Sequence, residues 1–87
     1  MILMWHETAW ADYKYWQQND KKTLKRINNL IRDIERNGYS GIGKPEPLKN
    51  NLTGWWSVRI DMVNRLVFQI VGDHLRIYSC KGHYENN

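Results

Sequence analysis

Arg59 and Arg65 are the residues best suited to chemistry, because the segments that carry them should set them against each other. Trp56, Val58 and Ile60 alternate along one side of their segment, as Leu66, Phe68 and Ile70 do along theirs. A pairing that buries both sets puts Trp56 near Phe68, Val58 near Leu66 and the two arginines opposite or nearly opposite on the outer face. Like charges opposed on a sheet destabilise it. Such a pair therefore points to an anion between the arginines, phosphate above all, which guanidinium groups bind through paired hydrogen bonds. The plain alternative is two solvated strand arginines.

A two-residue turn at Gly72-Asp73, with Gly where a type II′ turn needs it, pairs Val71 with His74, Phe68 with Ile77 and Arg65 with Cys80. His83 and Tyr84 lie only a few residues past Cys80, so an imidazole and a phenol should arrive beside the arginines. Arg76 and Tyr78 share the outward parity. Glu46 stands between Pro45 and Pro47 and is flanked by Lys44 and Lys49. By composition it is a solvated loop carboxylate, although the two prolines hold it extended, as a positioned base would require.

The remaining candidates are weaker. Lys21, Lys22, Lys25 and Arg26 form a basic block that is either a solvated face or a surface for RNA phosphates. Trp10 and Trp16 read as core, whereas Trp55 has outward parity and is either packing or a ligand platform. Cys80, His74 and His83 lack zinc-ligand spacing, and GIGKPEP lacks the strand and helix of a phosphate-cradling loop. Neither a metal nor a cofactor is expected.

Several elements must hold these residues in place. Residues 1–5 (MILMW) are an apolar run of strand length, expected to be buried. From Glu7 to Gln18, Ala9, Trp10, Tyr13 and Trp16 recur at helical spacing, and Asn19 and Asp20 end that helix, with Asp20 able to cap the next. The second helix carries Leu24, Ile27, Leu30, Ile31 and Ile34 on one stripe and meets Gly38. Residues 38–54, rich in Gly, Pro and Asn, read as a long structured loop. Three strands follow over 55–60, 64–71 and 74–80. Four antiparallel strands with a helical hairpin on one face make an α+β fold.

The 87 residues suffice for one modest core, so a single domain over 1–87 is expected. Hydrophobic residues at 41% and charged residues at 25% exclude a disordered chain. Five Trp and five Tyr leave rings to spare for a binding surface. A net charge of +4 favours an anionic partner. A lone Cys80 rules out an intrachain disulfide, and no stretch has the length of a membrane span or the pattern of a secretion signal. A cytoplasmic protein with no membrane attachment follows as the expectation.

The segments DYKYWQQNDKKTLKRINNLI, GIGKPEPLKNNLTGWWS, RI…NRLVF and SCKGHY together resemble the YoeB (Txe) toxins of bacterial type II toxin–antitoxin modules and, more distantly, the RelE toxins. The resemblance runs in order over nearly the whole chain. It implies a microbial-RNase-like fold that cleaves mRNA at the ribosomal A site without metal, a YefM-like antitoxin partner and a homodimer. Carried over by position, Glu46 is the general base, His83 the general acid and Arg65 the principal transition-state stabiliser. Lys49 and Arg59 would contact phosphate, Tyr84 would shape the site or stack on a base, and Lys44 and Trp55 are further candidates for RNA binding. Two departures are Val58 before Arg59, and Glu85, Asn86 and Asn87 after the His-Tyr pair. A non-catalytic RNA- or ribosome-binding module would use the same basic, aromatic face, and a DNA-binding partner of an acidic chain is a third reading.

Overall fold

Asp20 separates two helices as its side chain dictates: it accepts hydrogen bonds from Thr23 N–H at 3.1 Å and from the Thr23 hydroxyl at 2.8 Å. The first orphan donors of the second helix are satisfied there. Those hydrogen bonds, against a small opposing effect of burial, hold the Asp20 carboxyl below its usual range. The structure, a computed structural model, describes residues 1–82. Its elements are β1 (Ile2–Trp5), α1 (Glu7–Asn19), α2 (Lys21–Asn37), β2 (Glu46–Pro47), β3 (Trp56–Arg59), β4 (Arg65–Val71) and β5 (His74–Ser79). Gly38 ends α2 with φ 59 but ψ −128, so its φ is positive without entering the left-handed helical well.

The sheet order is β1-β5-β4-β3-β2, and α1 and α2 cover one face. Ile27, Leu30 and Ile34 from α2 meet Val58, Leu66, Phe68, Leu75 and Ile77 from the sheet, all of them buried. The alternation read in the sequence thus faces the helices as expected, and Trp56 pairs with Phe68 and Val58 with Leu66. A second, smaller core lies on the opposite face, where Leu48, Leu52 and Val67 pack with Trp55. It pins the 38–54 loop to the sheet. Within that loop β2 is a strand the sequence did not announce, pairing Glu46 with Ser57 and Pro47 with Trp56. None of the described helices is long and apolar enough to cross a membrane.

Four expectations need correction. β1 runs parallel to β5, not antiparallel, with Ile2 opposite His74 and Trp5 opposite Ile77. The chain leaves β1 straight into α1 and crosses the sheet through both helices; no tight turn reverses it. β1 is also not buried, because it is an edge strand: Ile2, Leu3 and Met4 are exposed and only Trp5 is half-covered. Trp10 is exposed as well. It sits about 100° round the helix from buried Ala9, and instead stacks on Tyr13 and edges against Trp5.

The fourth correction concerns the last hairpin. Val71 faces His74 and Phe68 faces Ile77 as expected, but Val67 faces Ser79, so a bulge gives β5 one extra residue. The position opposite Arg65 therefore moves past Cys80, and the Arg65 N–H donates to the Gly82 carbonyl at 3.1 Å. The cause is the pull of α1 on Cys80. Trp16 Nε1 donates to the Cys80 carbonyl at 2.8 Å, and the Cys80 N–H donates to Asp12 at 3.0 Å. Cys80 is thereby drawn into the core, and a bulge absorbs the mismatch.

Candidate functional site

Arg59 and Arg65 are direct partners across β3 and β4. Arg65 is the more constrained of the two. Its Nε donates to Ser57 Oγ at 2.5 Å and its Nη2 to Glu46 Oε1 at 2.5 Å, with only 13% of its side chain accessible against 57% for Glu46. Ser57 is fully buried, pairs with Glu46 across β2 and β3, and sits two positions before Arg59 on the same parity. Three adjacent strands thus deliver a carboxylate, a hydroxyl and two guanidinium groups to one face.

Arg59 is fixed through its backbone and open at its side chain. Its N–H donates to the Gly43 carbonyl at 2.8 Å, and its own carbonyl accepts from Arg26 Nη2 at 3.1 Å. The basic block on α2 therefore meets the hairpin at Arg26. Among the described residues no carboxylate pairs with Arg59, whose side chain is exposed. A cleft of about 200 Å³ lies between the arginines and the turn, lined by Arg59, Asp61, Met62 and Arg65.

The turn that walls this cleft is rigid. Asp61 Oδ1 accepts from the N–H groups of Val63 and Asn64, at 2.8 and 2.6 Å, and both Asp61 oxygens accept from the Asn64 amide. Burial alone would raise the Asp61 carboxyl, but these hydrogen bonds outweigh it and hold the group below its ordinary value. Asn64 Oδ1 in turn accepts from Gly82 N–H at 2.8 Å. Gly82 is therefore tied to the site by both its N–H and its carbonyl.

Of the residues singled out from the sequence, Glu46, Arg59 and Arg65 come together. His83 and Tyr84 lie outside the described residues. Lys44, at positive φ, and Lys49 flank the β2 segment with exposed side chains. Arg65, on a strand 19 positions further along the sequence, is in direct contact with Glu46. Trp55 is not at the arginine pair. It precedes Trp56, the partner of Phe68, so it stands level with Gln69, four positions along β4 from Arg65, or about 13 Å. Ser57 was missed by sequence reasoning; the only signal was its parity between Trp55 and Arg59.

The described residues include no group of three His, Cys, Asp or Glu arranged to hold a metal ion. Cys80 is no nucleophile: burial and the nearby Asp12 carboxylate push its thiol up to about 12. What the site offers is two cations, a carboxylate and an open cleft, a set that can hold a phosphodiester and move a proton.

Known proteins resemble this chain over nearly its whole length. Residues 5–84 match the family described as YoeB-like toxin of bacterial type II toxin–antitoxin system. The chain is 51% identical over 84 residues to Toxin YoeB of Escherichia coli K12, covering 97% of this chain and 100% of that protein. The YoeB dimer from Staphylococcus aureus superposes with a TM-score of 0.91 at 52% identity, covering 97% of this chain and 98% of that one. The YoeB–YefM complex from the same organism gives a TM-score of 0.90 at 50% identity, with the same coverage.

Proposed function

The chain belongs to the YoeB-like toxins of bacterial type II toxin–antitoxin systems, and on that premise we propose that it is an mRNA endonuclease acting at the ribosomal A site. Glu46 takes the proton from a ribose 2′-hydroxyl, whose oxygen attacks the adjacent phosphorus. Arg65, with Arg59 opposite, offsets the charge that gathers on the phosphoryl oxygens. His83 protonates the departing 5′-oxygen. The products are a 2′,3′-cyclic phosphate and a 5′-hydroxyl, and no metal takes part.

One observation carries this reading: Arg65 is held by Ser57 and Glu46 on the rim of a cleft whose other wall is Arg59. A cation already aimed before substrate arrives costs no reorganisation in the transition state. A base within hydrogen-bond reach of that cation is placed for the 2′-hydroxyl of a phosphodiester bound there. Lys44 and Lys49 extend the positive surface for flanking phosphates, and Tyr84 stacks on a base or shapes the site.

The family also supports the partners. A YefM-like antitoxin silences the toxin, as the S. aureus complex pairs YoeB with YefM, and the chain forms a homodimer, as the S. aureus YoeB dimer does. The exposed edge strand β1 and the exposed Trp10 supply apolar surface for such contacts. The site of action is the cytoplasm, where ribosomes present mRNA.

The test uses purified protein with translating ribosomes and mRNA, read by primer extension and by end chemistry. Cleavage within the A-site codon with 5′-hydroxyl ends, unaffected by chelators at ribosome-preserving magnesium, is the expected result. Production of 5′-phosphate ends would overturn the mechanism, and binding and translation inhibition by His83→Ala equal to those of wild type would reduce the chain to a binding module.

A further inference from the structure

Beyond the arginine cleft, the same outer face of the sheet carries a second assembly drawn from distant parts of the chain. His6, just after β1, lies edge-on to both Trp55 and Tyr78, with ring centroids 5.4 Å apart in each case, and Trp55 and Tyr78 are themselves 5.4 Å apart. The Arg76 guanidinium lies over the Trp55 ring at 5.1 Å. It donates to Gln69 Oε1 at 2.9 Å and approaches His6 Nε2 at 3.4 Å, while Gln69 Nε2 donates to the Gly54 carbonyl at 3.0 Å. The cation is thus held by the Gln69 amide oxygen and lies over an aromatic ring.

Packing alone does not account for this cluster. Its rings stand on the face away from the helices, and Tyr78 is 37% exposed. Among the described residues no carboxylate pairs with Arg76, and its buried Nε has no hydrogen-bond partner. A guanidinium amid half-open aromatic rings, lacking an anion, is complemented by a ligand that is both flat and negatively charged. Nucleotides are that ligand, since bases stack on aromatic side chains whatever their identity and phosphates meet arginine. Arg76 pairs with Gln69, which is four positions from Arg65 on the same face of β4, about 13 Å away.

We propose that Trp55, Tyr78, His6 and Arg76 form a second nucleotide subsite, which stacks a base of the strand whose scissile phosphate lies at Arg59 and Arg65. This rests on the endonuclease reading and extends it from the reacting bond to the path of the strand. The separation means that a dinucleotide at the arginines does not reach the subsite, whereas a longer strand engages both. Base identity matters little there, because the rings offer stacking faces and not a fixed set of hydrogen-bonding groups.

The test is ribosome-coupled cleavage by the full chain, with KM and kcat read separately, beside the affinity for short single-stranded RNA made non-cleavable by 2′-fluoro substitution. Tyr78→Ala and Arg76→Gln are expected to raise KM and weaken oligonucleotide binding about tenfold, in the range of losing one stacked base. Tyr78→Phe, which keeps the ring, restores both, and matching thermal melts exclude unfolding. A dinucleotide is expected to bind wild type and variants alike. If wild type cleaves mRNA while both variants keep its KM, the subsite is wrong and the endonuclease reading stands. If wild type cleaves nothing, the endonuclease reading itself fails. Variants that keep RNA affinity but no longer bind the antitoxin would give the patch to a protein partner and overturn the proposal.

Discussion

Asp12 and Cys80 meet across 68 positions of sequence, the carboxylate accepting the Cys80 backbone N–H at 3.0 Å. With Trp16 Nε1 on the Cys80 carbonyl at 2.8 Å, helix α1 grips both sides of one peptide unit at the end of β5. That grip creates the bulge and sends Gly82 to Arg65. Asp12→Ala is expected to leave the Cys80 N–H without its partner and to lower stability by about 1–3 kcal/mol in urea unfolding. A midpoint equal to that of wild type would show that the grip is passive.

The same contact has a pH signature. Burial raises the Asp12 carboxyl above its ordinary 3.8, against the lowering effects of the Cys80 N–H and Lys81. For an acid with a raised folded pKa, the folded state binds more protons than the unfolded one, so its contribution to stability falls as pH rises from that ordinary value through the raised one. Asp12→Asn should remove this slope. Subtracting its unfolding free energies from those of wild type over mildly acidic pH should therefore give a curve that declines with pH.

Cys80 should resist alkylation while the chain is folded. Its thiol is fully buried, donates to the Ala9 carbonyl at 3.7 Å and is pushed up to about 12. Iodoacetamide labelling at neutral pH, followed by mass spectrometry, should track global unfolding in denaturant, since the thiolate is the reacting form. Rapid labelling without denaturant would contradict the packing described.

Ser57 is a positioning residue for Arg65. Ser57→Ala removes the acceptor for Nε and should lower cleavage several-fold, whereas Arg65→Ala should lower it by about 10² to 10³. Ser57→Thr, which keeps the hydroxyl, should recover part of the loss. A purely structural role would lower the melting temperature in step with activity; the expectation is that kcat falls while the melt changes little.

Much of this was legible because strand parity is a hard constraint. The alternation of Trp56, Val58 and Ile60 against Leu66, Phe68 and Ile70 fixed the register, and the register fixed Arg59 against Arg65. The helix boundary at Asp20 followed from a capping side chain in the same way. What escaped was set by contacts distant in sequence. Nothing near Cys80 announces that Trp16 and Asp12 will pull it inward, and nothing in a Pro-flanked Glu46 announces a two-residue strand whose carboxylate reaches Arg65. The apolar MILMW run was misleading for a related reason: apolar composition marks a strand but not whether the sheet continues beyond it.

Gly43 should tolerate no side chain. At φ +81, an added Cβ would lie 3.2 Å from the Val58 Cβ, 3.1 Å from a Leu30 methyl and 3.3 Å from the Arg59 carbonyl, while the Gly43 carbonyl holds the Arg59 N–H. Gly43→Ala is expected to cost about 1–3 kcal/mol, from unfavourable φ and overpacking together. It should also displace Arg59. A variant melting with wild type would contradict the close approach of loop and strand.

The pairing of Arg65 with Glu46 bears on what the toxin ignores. Free phosphate, nucleotides and acidic side chains are abundant small anions, and each must displace a tethered carboxylate before it can engage that guanidinium. A polymer bringing several contacts at once overcomes such competition far better than a single ion. On the proposed endonuclease reading, the resting ion pair would act as a filter, favouring strands delivered in register over the crowd of loose anions around them.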